Sequence, residues 1–207
     1  MSNSQSLVGI ILAGGLAKRM GGGDKCLLPL AGKTLLQRTV ERAQPQVSTL
    51  LLNANGNSLR FARTRLPVVA DVYTGNLGPL AGIHAGLVWM QTNTPETQWL
   101  ASFASDTPFF PTHLATDLLD AATKQGARLA VAKSNNRIHP TFALWNLSLI
   151  NQIEQQLQTG EMPRLQDWLK EQNAAEVEFS TESYDPFFNI NVPQDLYSAE
   201  PIAALVK

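Results

Sequence analysis

Between Leu12 and Lys25 the chain reads LAGGLAKRMGGGDK, in which five glycines alternate with Lys18, Arg19 and Lys25 and a single acid, Asp24. Glycine adopts left-handed backbone and lets a ligand approach the main chain, so Gly14 and Gly15 can turn N–H groups toward an anion. Arg19 carries a planar fork that matches phosphate oxygens, and Lys25 a compact positive charge. Together they describe a cradle for a polyphosphate. The plainer alternative is a flexible loop with incidental charges. Two familiar phosphate motifs are excluded. AGKT (Ala31 to Thr34) has the ending of a P-loop, but Leu27 stands where its first glycine belongs. Leu16 and Arg19 break the dinucleotide fingerprint G-x-G-x-x-G.

A second chemical candidate is Asp106, in SDTPFFP. It ends an apolar run, so its carboxylate sits where a strand meets a loop. Magnesium is held by one or two carboxylates, with phosphate oxygens and waters completing the octahedron. An aspartate before Thr-Pro also serves as an ordinary turn residue.

These groups act together only if the fold gathers them. Ser6 to Ala13 is a continuous apolar run ending in glycine, which suits a strand buried on both faces. Further strands are predicted over Val47–Asn55, Leu66–Asp71, Trp99–Asp106 and Ala127–Lys133. Helices are predicted from Thr34, whose spacing to Gln37 is that of a capping box, over Gly78–Gln91 behind Pro79, and from about Thr112 to Gln125. The alternation predicts an α/β fold: a Rossmann-like, mostly parallel, doubly wound sheet. Ligands bind such sheets outside the carboxyl ends of the strands, where the glycine loop and Asp106 both fall. Beyond Lys133 the texture changes. RIHPTFALW alternates like an antiparallel strand, helical stretches follow near Asn146–Gln158 and Arg164–Gln172, and a short helix follows PFFNINVPQDL. The expected organisation is one domain over residues 1–207, with a nucleotide-binding half (1–133) and an elaborated C-terminal third (134–207).

The 207 residues carry a net charge of −1, which disfavours a broad nucleic-acid surface. Cys26 is the only cysteine, so an internal disulfide framework or a cysteine-rich metal site is excluded, as suits a reducing compartment. No apolar run reaches membrane-spanning length, and the start of the chain lacks the pattern of a signal peptide. A cytoplasmic protein is expected.

The glycine stretch, with GPLAGI (Gly78 to Ile83), SDTPFFP, HPTFAL (His139 to Leu144) and FNINVPQDL (Phe188 to Leu196), resembles the molybdenum cofactor guanylyltransferases in order along nearly the whole chain. The resemblance implies transfer of GMP from GTP to the terminal phosphate of molybdopterin, with release of pyrophosphate and use of Mg2+. It implies that Leu12, Ala13 and Gly14 lie along guanine and ribose. It also implies that Lys25 holds the phosphates beside Arg19, Gly15 and Gly22, that Asn53 and Asp71 contact the nucleotide, and that Asp106 binds magnesium. Asn189 and Asn191, two apart in an extended segment, point to one face; they either approach the triphosphate or brace a loop. Arg137, His139 and Arg164 are candidates on the molybdopterin side. Partners implied are GTP and molybdenum-molybdopterin, with molybdopterin-loading proteins and molybdoenzyme chaperones beyond them, and the chain is expected to act as a monomer.

The chemistry explains the lack of a nucleophile triad: a phosphate monoester is already an anion, and the obstacle is charge repulsion. The alternatives are a cytidylyltransferase for the same cofactor, a sugar-phosphate nucleotidyltransferase, and a non-catalytic nucleotide-binding cofactor chaperone. The LAGG opening, with Gly14 where related cytidylyltransferases tend to carry alanine (LAAG-like), favours the larger base.

Overall fold

A computed structural model describes residues 6–14, 23–75 and 77–206 of the chain. The first apolar run forms β1 (Leu7–Leu12). A short antiparallel pair, β2 (Pro29–Leu30) and β3 (Lys33–Thr34), leads into α1 (Leu35–Ala43). Thr34 closes the expected capping box. Its hydroxyl accepts from the Gln37 N–H at 3.1 Å, and the Gln37 side chain accepts from the Thr34 N–H at 2.8 Å. There follow β4 (Thr49–Asn53), a 3-10 helix over Ser58–Thr64, β5 (Val68–Val69), α2 (Pro79–Asn93), β6 (Trp99–Ala104) and α3 (Leu114–Gln125). The last third adds β7 (Leu129–Ser134), β8 (Arg137–Asn146), α4 (Ile150–Gln158), α5 (Leu165–Glu171), β9 (Ala175–Glu178) and α6 (Pro193–Leu205).

Seven strands join in the order β5-β4-β1-β6-β8-β7-β9. Only β8 runs against its neighbours; every other pairing in this sheet is parallel. Helices cover both faces, which is why the central strands are apolar without alternation. Ile11, Leu52 and Phe103 pack with α1 and α3 on one side, while Ile10, Leu51 and Leu100 pack with α2, α4 and α5 on the other. A third cluster seats α6 against Leu30, Leu35, Phe109 and Ile190. Among the described residues, no helix is long and apolar enough to cross a membrane.

Strand β8 shapes the carboxyl edge of the sheet. It leaves β7 through Asn135 and Asn136, both at positive φ (47° and 61°), as a two-residue hairpin turn requires. Its register with β7 then jumps from Ala132↔His139 to Val131↔Ala143, so Pro140 to Phe142 bulge out of the ladder. Pro140 has no N–H to donate there. Pairing of β8 with β6 stops at Ser102↔Ala143, and the two strands part beyond it. That gap opens onto the cleft described next.

Candidate active site

Strands β1, β4, β5 and β6 end side by side, and the residues just past them line a cleft of about 420 Å3. Lys25 enters it from a single 3-10 turn, Lys25–Leu27. The side chain is largely buried, and its ammonium donates to Asp106 Oδ2 at 2.6 Å, Asn191 Oδ1 at 2.6 Å and Asn189 Oδ1 at 3.4 Å. All three N–H groups of the ammonium are thus directed at oxygens. Thr107 donates to the other Asp106 oxygen at 3.1 Å. Between the two asparagines, Ile190 is fully buried and its N–H donates to the Asp106 carbonyl at 3.0 Å. Extended backbone therefore turns Asn189 and Asn191 to the same side, toward Lys25. The segment is pinned in turn by α6, whose Asp195 carboxylate accepts from the N–H groups of Asn191 (2.6 Å) and Val192 (2.9 Å).

The opposite wall is a carboxylate held by two amides. Asn53 donates to Asp71 Oδ1 at 2.9 Å and to the Val69 carbonyl at 3.2 Å. Asn55 donates to Asp71 Oδ2 at 2.7 Å and accepts from the Asp71 N–H at 2.9 Å. Helix α2 presses on this wall from behind: a Cβ added at Gly82 would lie 2.2 Å from Asn53 Oδ1. The N-terminus of α2, at Gly78 and Pro79, also borders the cleft, and its orphan N–H groups give that wall partial positive charge. Gly78 holds φ +71°, a conformation that favours glycine.

Several sequence expectations change in detail. Gly14 does not take a left-handed φ; its lack of a side chain leaves open space on the cleft side instead. Ala13 is buried in the core, and its N–H continues the ladder to the Asn53 carbonyl at 2.9 Å, so its side chain does not line the cleft. Leu12, Gly14, Lys25, Asn53, Asp71, Asp106 and Asn189 do line it, with Asn191 reaching it through Lys25. Gly15, Arg19 and Gly22 lie outside the described residues. Arg137 and Arg164 are exposed and do not line the cleft. His139 bonds Ser134 Oγ at 2.8 Å and stacks on Phe187 with ring centres 4.2 Å apart. Burial, only partly opposed by Asp185, pushes its pKa down to about 4, so the ring is neutral near pH 7. Sequence reasoning passed over Asn55 and Thr141, both in the cleft lining, and Asp24 and Arg60 just behind it.

The acceptors around the Lys25 ammonium are all oxygens: one carboxylate and two amide carbonyls. Among the described residues no group of three or more His, Cys, Asp or Glu side chains gathers as a metal cage. One carboxylate flanked by amide carbonyls at the mouth of the cleft fits a hard divalent ion that shares its shell with phosphate oxygens.

Residues 9–176 match the MobA-like NTP transferase domain family. A molybdenum cofactor guanylyltransferase from Rhodopseudomonas palustris is 43% identical over 203 residues, spanning 98% of this chain and 97% of the relative. The fold matches the crystal structure of molybdopterin-guanine dinucleotide biosynthesis protein A from Archaeoglobus fulgidus, with TM-score 0.77 and 24% identity over 96% of this chain and 99% of that one. It also matches a Mycobacterium tuberculosis protein crystallised in complex with manganese, with TM-score 0.61 and 15% identity over 94% and 97% of the two chains. With near-complete coverage and that level of identity, the chain belongs to the molybdenum cofactor guanylyltransferase family.

Proposed function

We propose that this enzyme transfers GMP from GTP to the terminal phosphate of molybdenum-molybdopterin, forming molybdopterin guanine dinucleotide and releasing pyrophosphate. The observation that carries the reading is the pairing of two walls across one cleft. On one, Lys25 and Asp106 are locked together by Asn189 and Asn191; on the other, Asp71 is clamped by Asn53 and Asn55. The first suits a triphosphate and the second a nucleoside.

In the reaction an oxygen of the molybdopterin phosphate bonds to the α-phosphorus of GTP, and the bond from that phosphorus to the β-phosphate oxygen breaks. The leaving pyrophosphate keeps the electron pair. The nucleophile is already ionised near pH 7, so no buried base has to take its proton. What must be lowered is the repulsion between two polyanions and the charge growing on the leaving group. Lys25 places one positive charge at that point, and the N-terminus of α2 adds partial charge from the other side. Arg19 and the backbone at Gly15 and Gly22 complete the phosphate cradle, while Leu12, Ala13 and Gly14 run beneath the nucleoside. Asp106 and the asparagine carbonyls would hold Mg2+, which when bound neutralises phosphate charge and orients the triphosphate.

Residues 1–133 form the nucleotide side of a single domain, and 134–207 supply the acceptor side along with Asn189 and Asn191. Arg137 and Arg164 stand on the acceptor side as phosphate ligands, whereas His139 braces β8. The enzyme works as a cytoplasmic monomer, with molybdopterin-loading proteins and molybdoenzyme chaperones as its protein partners. Equilibrium binding of GTP, CTP, ATP and UTP in the presence of magnesium tests the nucleotide assignment. Preference for GTP is expected. Preference for CTP would assign a cytidylyltransferase, and no binding would remove the cradle.

A further inference from the structure

Arg60 does not line the cleft; it sits in the 3-10 helix Ser58–Thr64, which leaves β4 behind Asn55 and Asn57. Its guanidinium is nevertheless engaged on all three nitrogens. Nε pairs with Asp24 Oδ2 at 2.7 Å, Nη1 donates to the Asn57 carbonyl at 2.7 Å, and Nη2 donates to the Asn55 carbonyl at 2.7 Å. The cation also lies 4.5 Å from the centre of the Phe61 ring, a side chain buried in the core. Two of these partners connect directly to the two walls of the cleft. Asp24, whose side chain is 15% exposed, is the residue before Lys25, and its carbonyl accepts from the Leu27 N–H of the turn that carries Lys25. Asn55 clamps Asp71 through both its amide nitrogen and its oxygen.

We infer that Arg60 is a positioning residue that fixes the phosphate-side turn at Lys25 relative to the nucleoside wall at Asn53 and Asp71. The inference rests on the proposed GTP site. The fork matters as much as the charge. Three donors in a rigid plane reach a carboxylate and two carbonyls on separate segments, which a single lysine nitrogen cannot do. Bound GTP has to touch both walls at once, so a shift of one wall against the other weakens its grip even though Arg60 touches no substrate.

The test uses Arg60→Ala, Arg60→Lys, Asp24→Asn and the double variant Asp24→Asn/Arg60→Ala, with GTP titrated calorimetrically and thermal midpoints recorded alongside. Arg60→Ala is expected to raise the GTP Kd about tenfold. Arg60→Lys should recover only part of that loss. Asp24→Asn should cost little more once Arg60 is gone, since both act through one contact. An unchanged Kd in Arg60→Ala, full recovery by lysine, or additive losses would each overturn the inference. Hydrogen exchange without nucleotide separates this from failure of the functional reading. The amides of Leu27 and Leu28, bonded to the Asp24 and Lys25 carbonyls, should exchange faster in Arg60→Ala. Unchanged exchange there refutes the positioning role whether or not the protein binds GTP. A wild-type protein that binds no GTP refutes the nucleotide site alone.

Discussion

Replacing Gly82 with alanine separates the site from the scaffold that supports it. Gly82 and Gly86 lie one turn apart on α2, and both let the helix settle onto the sheet. The methyl of Gly82→Ala would meet Asn53 Oδ1 at 2.2 Å, Asn53 Cγ at 2.7 Å and Leu12 Cδ2 at 2.8 Å. The methyl of Gly86→Ala would meet Leu100 Cδ2 at 2.8 Å and Ile10 Cδ1 at 2.9 Å, in a core with no exposure. Overpacking costs about 1–3 kcal/mol, and alanine returns about 1 kcal/mol of helix propensity, leaving a net loss of roughly 0–2 kcal/mol in each variant. For a chain of this size that lowers Tm by no more than about 8 °C. The functional consequences differ. At position 82 the group that yields is the Asn53 amide, which must give up its bonds to Asp71 and the Val69 carbonyl. One charge-assisted hydrogen bond is worth about 1.5–3 kcal/mol, so GTP affinity should fall roughly 10- to 100-fold. Gly86→Ala leaves Asn53 alone and should change affinity less than about threefold. Calorimetric titration with GTP, beside thermal melts of both variants, decides the matter. Normal GTP affinity in Gly82→Ala, or equal losses in the two variants, would refute the reasoning.

Asp106→Ala should slow single-turnover transfer by at least about a hundredfold while GTP still binds; a near-normal rate would remove Asp106 from the chemistry. Lys25→Ala should weaken GTP binding by about tenfold or more, and unchanged affinity would take Lys25 out of the phosphate cradle. The buried neutral His139 ties stability to pH. Its ordinary pKa of 6.5 falls to about 4 in the fold, so below 6.5 the unfolded chain gains the proton first. Stability should therefore decline from pH 6.5 toward 4, and His139→Gln should decline less steeply, as denaturant midpoints would show. Burial pushes the Cys26 thiol up to about 12, so a thiol reagent at about pH 8 should leave the native protein unlabelled and modify it on unfolding.

The sheet was legible because its central strands are buried on both faces and read as unbroken apolar runs, each ending in Gly, Asn or Asp at the cleft. The same feature made Asn53, Asp71 and Asp106 visible as strand-end polar groups. The capping box at Thr34 was equally local. Strand β9 escaped notice because AEVE is a half-exposed edge segment, recognisable only through its pairing with β7. Arg60 and Asp24 lie in polar stretches whose pairing spans 36 positions, and no local pattern announces such a contact. The bulge that brings Thr141 to the cleft left a single trace, Pro140 within an otherwise regular strand. Lys25 was legible as a charged residue beside the glycine loop, yet the three oxygens that hold it come from segments more than eighty residues away.

The most direct test of the account is a single-turnover reaction of the purified enzyme with molybdenum-molybdopterin, magnesium and GTP labelled separately at the α- and γ-phosphates. The α-label should enter the molybdopterin product while the γ-label leaves as pyrophosphate, both at least about a hundredfold more slowly in Asp106→Ala. Label that stays in GTP with the wild-type enzyme, or γ-label released as inorganic phosphate without transfer, would contradict it.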